Sequence, residues 1–227
     1  MKIGFVVAMD KEYEPFLDKL GELRAVDVVC GIEFCSYVSE KGEVALAKCG
    51  IGEIAASSAT SLLIGLYKVD YILNFGLVGA LDESLLEREI VAVESVVHYD
   101  SDLTPFGHPL GAAADLPSPY VFSDPKLLSV ISEKNVRLVR LASGDKFIAD
   151  PVRKDQIVSD FSAGICDMEG AGVAITAYRA KIPFTMIKVI SDSAGSDATN
   201  EYGKNKNAGL VFALDVVLGA IFEVFKK

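Results

Sequence analysis

The sequence predicts an α/β domain built on a mixed or largely parallel sheet. Two observations carry this. Short continuous apolar runs at residues 2–8, 71–75 and 185–190 read as strands buried on both faces, and stretches of helical spacing lie between them. The first and last of these runs also stop at acids, at Asp10-Lys11-Glu12 and at Asp192, and Asp167-Met168-Glu169 stands ahead of a helix of small residues. Ligands of open α/β sheets sit beyond the carboxyl ends of the strands. One such acid alone is best read as a helix cap or a turn. Three together point to a site, because charge beside apolar strand ends needs a reason.

In chain order, residues 2–8 form the first strand. Residues 11–20 form a helix, with Phe16, Leu17 and Leu20 on one face and Pro15 early, where a helix tolerates it. Residues 26–39 and 43–49 read as two strands around a Glu40-Lys41-Gly42 turn. Residues 54–66 are a helix with small and apolar faces. The strand at 71–75 is followed by a glycine-bearing turn, Gly76-Leu77-Val78-Gly79-Ala80. The next strand is 90–98. Residues 99–119, rich in Pro, Gly, Asp and Ser, are a long irregular loop, and loops of that length are usually functional or interfacial. A helix at 125–132, a strand at 137–142 and a helical turn at 155–161 follow. The helix at 170–180 leads through Pro183 to the last strand, 185–192. An apolar helix at 207–225 is expected to cover one face of the sheet.

At 227 residues, 51% hydrophobic, the chain can bury a large core as a single domain spanning 1–227. A formal net charge of −10 with no basic cluster argues against a nucleic-acid partner. No apolar run reaches membrane-spanning length, and residues 1–10 read as a strand rather than a leader peptide. The cysteines, Cys30, Cys35, Cys49 and Cys166, fit no metal-ligand spacing and read as reduced cytoplasmic thiols; with only His98 and His108 beside them, no metal site is expected. Gly50-Ile51-Gly52-Glu53-Ile54-Ala55 fits the G-x-G-x-x-A pattern of dinucleotide sites. The following strand ends in Asn74-Phe75-Gly76 rather than an acid, so the motif reads as a tight turn that lets backbone approach a ligand or neighbour.

Taken together and in order, these short segments resemble the nucleoside phosphorylase/nucleosidase superfamily, and within it the 5′-methylthioadenosine/S-adenosylhomocysteine nucleosidases. The anchors are Ala8-Met9-Asp10-Lys11-Glu12, Gly50-Ile51-Gly52, Asn74-Phe75-Gly76, Tyr99-Asp100-Ser101-Asp102-Leu103-Thr104-Pro105-Phe106-Gly107, Ser143-Gly144-Asp145-Lys146-Phe147-Ile148, Asp167-Met168-Glu169 and Ile190-Ser191-Asp192. The resemblance implies a three-layer α/β/α sandwich around a central, largely parallel twisted sheet. It also implies cleavage of an N-glycosidic bond without metal or cofactor. By position, Glu12 would orient and activate water, and Glu169 would hold the ribose hydroxyls with Met168 against the sugar. Asp192, beside Ser191, would protonate the purine at N7. Phe147 would stack on the base while the backbone of Ile148 reads its edge, and Ile51, Leu77, Val78 and Lys188 would join the substrate pocket. A homodimer is implied, with Leu103 and Phe106 capping the partner's pocket.

The chemistry suits these residue types. A purine leaves more readily when protonated, and an aspartate that donates that proton needs burial to raise its pKa. Two positions depart from the family pattern. Leu77 stands where nucleosidases usually carry serine after the Asn-x-Gly segment, and Lys188 stands where they usually carry arginine. Lysine supplies charge without a fixed fork of donors. Hydrolysis of methylthioadenosine or S-adenosylhomocysteine is therefore the leading expectation. Hydrolysis of a futalosine-type nucleoside, a purine nucleoside phosphorylase, and nucleoside binding with little or no catalysis are the alternatives.

Overall fold

The computed structural model describes residues 1–39, 42–204 and 209–224. The chain runs β1 (Lys2–Val7), α1 (Asp10–Leu17), β2 (Glu22–Val29), β3 (Ile32–Ser39), β4 (Gly42–Lys48), α2 (Glu53–Gly65) and β5 (Tyr71–Ala80). It continues through β6 (Ile90–His98), β7 (Tyr120–Phe122), α3 (Pro125–Ser132), β8 (Arg137–Ser143), α4 (Pro151–Phe161) and β9 (Ile165–Asp167). It ends with α5 (Gly170–Ala180), β10 (Phe184–Asp192), α6 (Ala198–Lys204) and α7 (Leu210–Val224).

β1 is central and pairs in parallel with β4 on one side and β5 on the other. From β4 the sheet runs out antiparallel through β3 to the edge strand β2. On the other side β5 pairs in parallel with β10, and β10 antiparallel with β6. β6 and β9 each lie parallel to β8, and β9 returns antiparallel onto Gly79 and Ala80 of β5. The mixed sheet thus closes into a ring through β5, β10, β6, β8 and β9, while β7 adds to β6.

Side-chain alternation divides the core into layers. Ile3, Phe5 and Val7 of β1 face Phe16 of α1, Leu127 and Ile131 of α3, and the buried stripe Leu210, Leu214, Val217 and Ile221 of α7. Val6 faces the opposite cluster, which holds Ala56, Ala59 and Leu63 of α2 and Ala171, Ala174 and Ala177 of α5. The small residues on α2 and α5 bring those helices close together and onto the sheet. The three-layer arrangement and the role of the C-terminal helix as a cover are as expected.

Several boundaries differ. Residues 26–39 are not one strand: Cys30 and Gly31, with φ of 53° and 78°, reverse the chain between β2 and β3. The segment 76–80 is not a turn; β5 runs through both glycines to Ala80. The helix expected at 155–161 begins at Pro151, where the Asp150 side chain accepts from the Val152 N–H at 3.0 Å. β7, β9 and α6 were not anticipated. Of the 40–42 turn, Glu40 and Lys41 lie outside the described residues, as do residues 207, 208 and 225 of the expected last helix.

Candidate active site

The carboxyl ends of β1, β4, β8 and β10 and the body of β5 surround a cavity of about 280 Å³. Its walls are mainly apolar, from Ile51, Leu77, Val78, Phe147, Ile148 and Met168. Glu169, Ser191 and Asp192 supply polar groups. A mostly apolar pocket with a few convergent polar groups is the usual form of a small-molecule site. Ile51 sits in the segment before α2, where Gly50 and Gly52 have φ of 86° and 107°, a conformation that favours glycine. The tight-turn reading of that motif holds.

Asp192 ends β10 at a register shift opposite Gly79. Such a bulge re-aims the side chain that follows it. A Cβ on Gly79 would sit 3.0 Å from the Asp192 carboxylate, so the bare glycine makes room for the acid. Asp192 Oδ1 accepts the Ala194 N–H at 3.0 Å, and Oδ2 lies 2.7 Å from Ser191 Oγ. Burial pushes the Asp192 carboxyl above its ordinary range, against the pull of those two contacts. Ser191 Oγ also reaches the Val78 carbonyl at 3.1 Å. With its proton on that carbonyl, the Ser191 oxygen can accept from a protonated Asp192. With its proton turned toward Asp192, it can serve the carboxylate left after proton transfer.

Glu12 does not line the cavity. It is 2% exposed and lies behind Leu77. Its Oε2 accepts the N–H groups of Ala8 and Met9 at 2.9 and 3.2 Å, and its Oε1 accepts the Leu77 N–H at 2.9 Å. The sheet explains the last contact. Along one edge of β5, β1 pairs as far as Asn74 and β9 takes over at Gly79, and the Leu77 N–H falls between them. Burial raises the Glu12 carboxyl, opposed by these N–H groups and by Lys188. Only two of the three expected carboxylates therefore face the cavity directly. Leu77, whose side chain has no donor, donates through its backbone.

Lys188 also lies outside the cavity wall. It is buried, and its Nζ sits 2.7 Å from Asp167 Oδ2. Asp167 faces the cavity as well, a role the sequence reading left unassigned. Its Oδ1 accepts the Gly170 N–H at 3.1 Å, in the first turn of α5. Glu169 is the N-cap residue of that helix, and its Oε1 accepts the Gly52 N–H at 3.0 Å. Burial, and then the neighbouring Asp167, push the Glu169 carboxyl up to about 8, while Lys188 and the Gly52 N–H hold it down.

Phe147 is half exposed at the cavity mouth, edge-on to Tyr202 with ring centroids 6.0 Å apart. Tyr202 of α6 reaches Met9 Sδ through its hydroxyl at 3.0 Å, and both side chains line the cavity. Sequence reasoning missed Tyr202, Lys146 and Met9 as pocket residues. Met9 and Lys146 lay inside quoted motifs, but Tyr202 sits in a polar stretch with no periodicity. Leu103 and Phe106 are not part of this cavity. They lie in a loop with a 3-10 turn at Thr104–Phe106, and Phe106 is 80% exposed. The loop is better anchored than expected, since Leu110 and Leu116 pack against core clusters and Arg179 of α5 grips Asp115 with two hydrogen bonds. Among the described residues, no group of His, Cys, Asp or Glu is arranged to hold a metal ion.

A family model described as the phosphorylase superfamily matches residues 2–221. A curated relative from Shewanella loihica, named 5′-methylthioadenosine/S-adenosylhomocysteine nucleosidase, is 33% identical over 209 residues, covering 89% of this chain and 90% of the relative. Among solved structures, the futalosine hydrolase of Helicobacter pylori has a TM-score of 0.93 at 26% identity and covers 98% of both chains. The 5′-methylthioadenosine/S-adenosylhomocysteine nucleosidase of S. pneumoniae, bound to the transition-state inhibitor MT-ImmA, has a TM-score of 0.92 at 28% identity and covers 99% of both. With a family match over nearly its whole length, on the fold and cavity described above, this chain belongs to the phosphorylase superfamily.

Proposed function

We propose that the protein is an N-glycosidase that hydrolyses 5′-substituted adenine nucleosides, methylthioadenosine and S-adenosylhomocysteine, to release adenine. The observation that carries this is the buried Asp192 at the cavity wall, its carboxyl raised by burial and partnered by a serine that suits both protonation states. The names of the relatives support the substrate class. The base stacks on Phe147 and takes a proton at N7 from Asp192. Glu169 accepts hydrogen bonds from the ribose hydroxyls, with Met168 against the sugar. As the sugar gains oxocarbenium character, Glu12 in its ionised form accepts the proton of the attacking water, which must reach it from the cavity past Leu77.

Water suits this site better than phosphate. Asp167, Glu169 and Asp192 all face the cavity, and among the described residues no arginine lines it. Lys188 is held by Asp167, and Lys146, which does line the cavity, lies 3.2 Å from Asp100. Among the described residues at the cavity, a phosphate dianion would find no cation free of a carboxylate partner. Adenine should therefore appear from methylthioadenosine in phosphate-free buffer, at a rate unchanged by millimolar phosphate. Cleavage that needs phosphate and yields ribose 1-phosphate would replace this reading with phosphorolysis. The likeness to a futalosine hydrolase supports a second reading, hydrolysis of a larger purine nucleoside, and futalosine belongs in the same assay. We further read the protein as a cytoplasmic homodimer acting in methionine salvage. The names of the relatives, the unpaired cysteines and the exposed Phe106 support that reading.

A further inference from the structure

Glu53, the first residue of α2, is absent from the cavity wall, yet it is buried, and its carboxyl is turned toward the site's supporting shell. Its Oε2 accepts the Gly172 N–H, one of the free donors in the first turn of α5. A side chain at Gly172 would run into the Glu53 backbone, so the glycine allows α2 and α5 to meet there. Its Oε1 lies 2.5 Å from Ser143 Oγ, and the same Oγ lies 2.5 Å from Asp167 Oδ1.

One hydroxyl stands between two carboxyl groups, and a hydroxyl has one proton to give. Two short contacts therefore require a second proton, carried by one of the carboxyls. Asp167 is the poorer candidate. Its Oδ2 holds the Lys188 ammonium at 2.7 Å, and its Oδ1 accepts the Gly170 N–H, a full set of partners for an anion. Among the described residues, no cation stands beside Glu53. The groups that face it are Asp167 from β9, Asp145 after β8 and the Tyr99 phenol after β6. Glu169 stands at the N-cap of α5, and Lys188 of β10 lies on the far side of Asp167.

We propose that Glu53 is a positioning residue held as a neutral carboxylic acid. It donates to Ser143, Ser143 donates to Asp167, and Asp167 holds Lys188 and the first turn of α5, which carries Glu169. The chain of donors runs one way, from Glu53 to the anion Asp167, and its protons balance with one on Glu53 and one on Ser143. Ionising Glu53 places two anions against one hydroxyl, so one of the two contacts is lost. Asp167 then shifts, and with it the N-cap that presents Glu169 to the ribose. Burial, followed by Asp167, pushes the Glu53 carboxyl up to about 7, which puts this transition in reach of ordinary assay conditions.

This inference rests on the hydrolase reading only for its kinetic arm. Adenine release from methylthioadenosine is measured across about pH 5 to 9 for the wild type, Glu53→Ala and Glu53→Gln. Glutamine mimics the neutral acid, with an amide N–H for Ser143 and a carbonyl for the Gly172 N–H. The expected result is a wild-type KM that climbs by up to about tenfold per pH unit above the Glu53 value. Glu53→Ala should have a raised KM throughout, and Glu53→Gln should rescue it and remove the climb. A glutamine variant that keeps the climb, or that is as impaired as alanine, overturns the proposal.

The second arm needs no substrate. A folded value above the unfolded one means that the Glu53 contribution to stability is complete below 4.5 and is lost as pH rises through about 7. Urea unfolding of the wild type should show that loss relative to Glu53→Gln. Parallel stability curves for the two proteins would overturn the proposal. If the wild type releases no adenine at any pH, the hydrolase reading fails, and the unfolding curves alone decide the state of Glu53.

Discussion

Asp192 and Leu77 show how single residues act through their surroundings here. An aspartate that donates a proton must hold one when the nucleoside binds, and burial raises Asp192 in that direction. Asp192→Asn keeps the shape and can still accept the Ala194 N–H, but it removes the transferable proton. Its kcat for adenine release should fall by roughly 10²–10⁴-fold while the unfolding midpoint moves little. A variant with near-normal turnover would remove Asp192 from its role. The pH dependence has a definite sign: the acid works protonated, so this limb of activity is present at low pH and declines as pH rises through the folded Asp192 value. Leu77 matters for a different reason. Its side chain is apolar, yet its backbone N–H is one of three that hold Glu12. The change from a polar side chain therefore leaves the Glu12 cradle intact.

Between elements, the decisive contact is that of α1 with β5. Glu12, in the first turn of α1, reaches the Leu77 N–H only because residue 76 has no side chain. A Cβ there would stand 2.5 Å from Glu12 Oε1, closer than real contacts allow. Gly76→Ala should destabilise the fold by about 1–3 kcal/mol, the usual cost of overpacking, and should lower kcat by displacing Glu12. Gly65→Ala is the control, since nothing lies within 4 Å of the added carbon at the end of α2. Urea unfolding with parallel adenine-release assays distinguishes the two substitutions. Equal stability in both variants would show that Glu12 is not seated against Gly76 in solution.

For the whole molecule, the ring of strands fixes the site and leaves the 99–119 loop outside it. The loop is tied down at Asp115 and Leu116, yet it presents Phe106 to solvent. An apolar side chain displayed on an anchored loop is suited to a partner surface, and a two-fold pairing of identical chains is the commonest arrangement. Sedimentation velocity at micromolar concentration should show a dimer, and Phe106→Asp should shift it toward monomer with a raised KM for methylthioadenosine. A wild-type monomer with full activity would reject a shared site.

Local pattern was enough to place much of this architecture. The helices at Pro125–Ser132 and Gly170–Ala180 and the strand Ile90–His98 fall where spacing, capping and apolar runs put them, because those signals act within a few residues. Asp192 and Glu169 were legible as candidates from acids beside apolar strand ends, the family resemblance added Phe147, and all three line the cavity. Other features depend on partners distant in sequence. Gly76 and Gly79 look like a turn until Glu12 and Asp192 are seen against them in the folded chain. Lys188 looks like a free cation until the fold sets it on Asp167. Tyr202 and Glu53 carry no local signature at all. The sequence alone determined the order of the layers and the acids at the strand ends. Only the closure of the sheet decided which acid faces the cavity, which is buried behind it and which must keep its proton, because those properties follow from distances between separate elements.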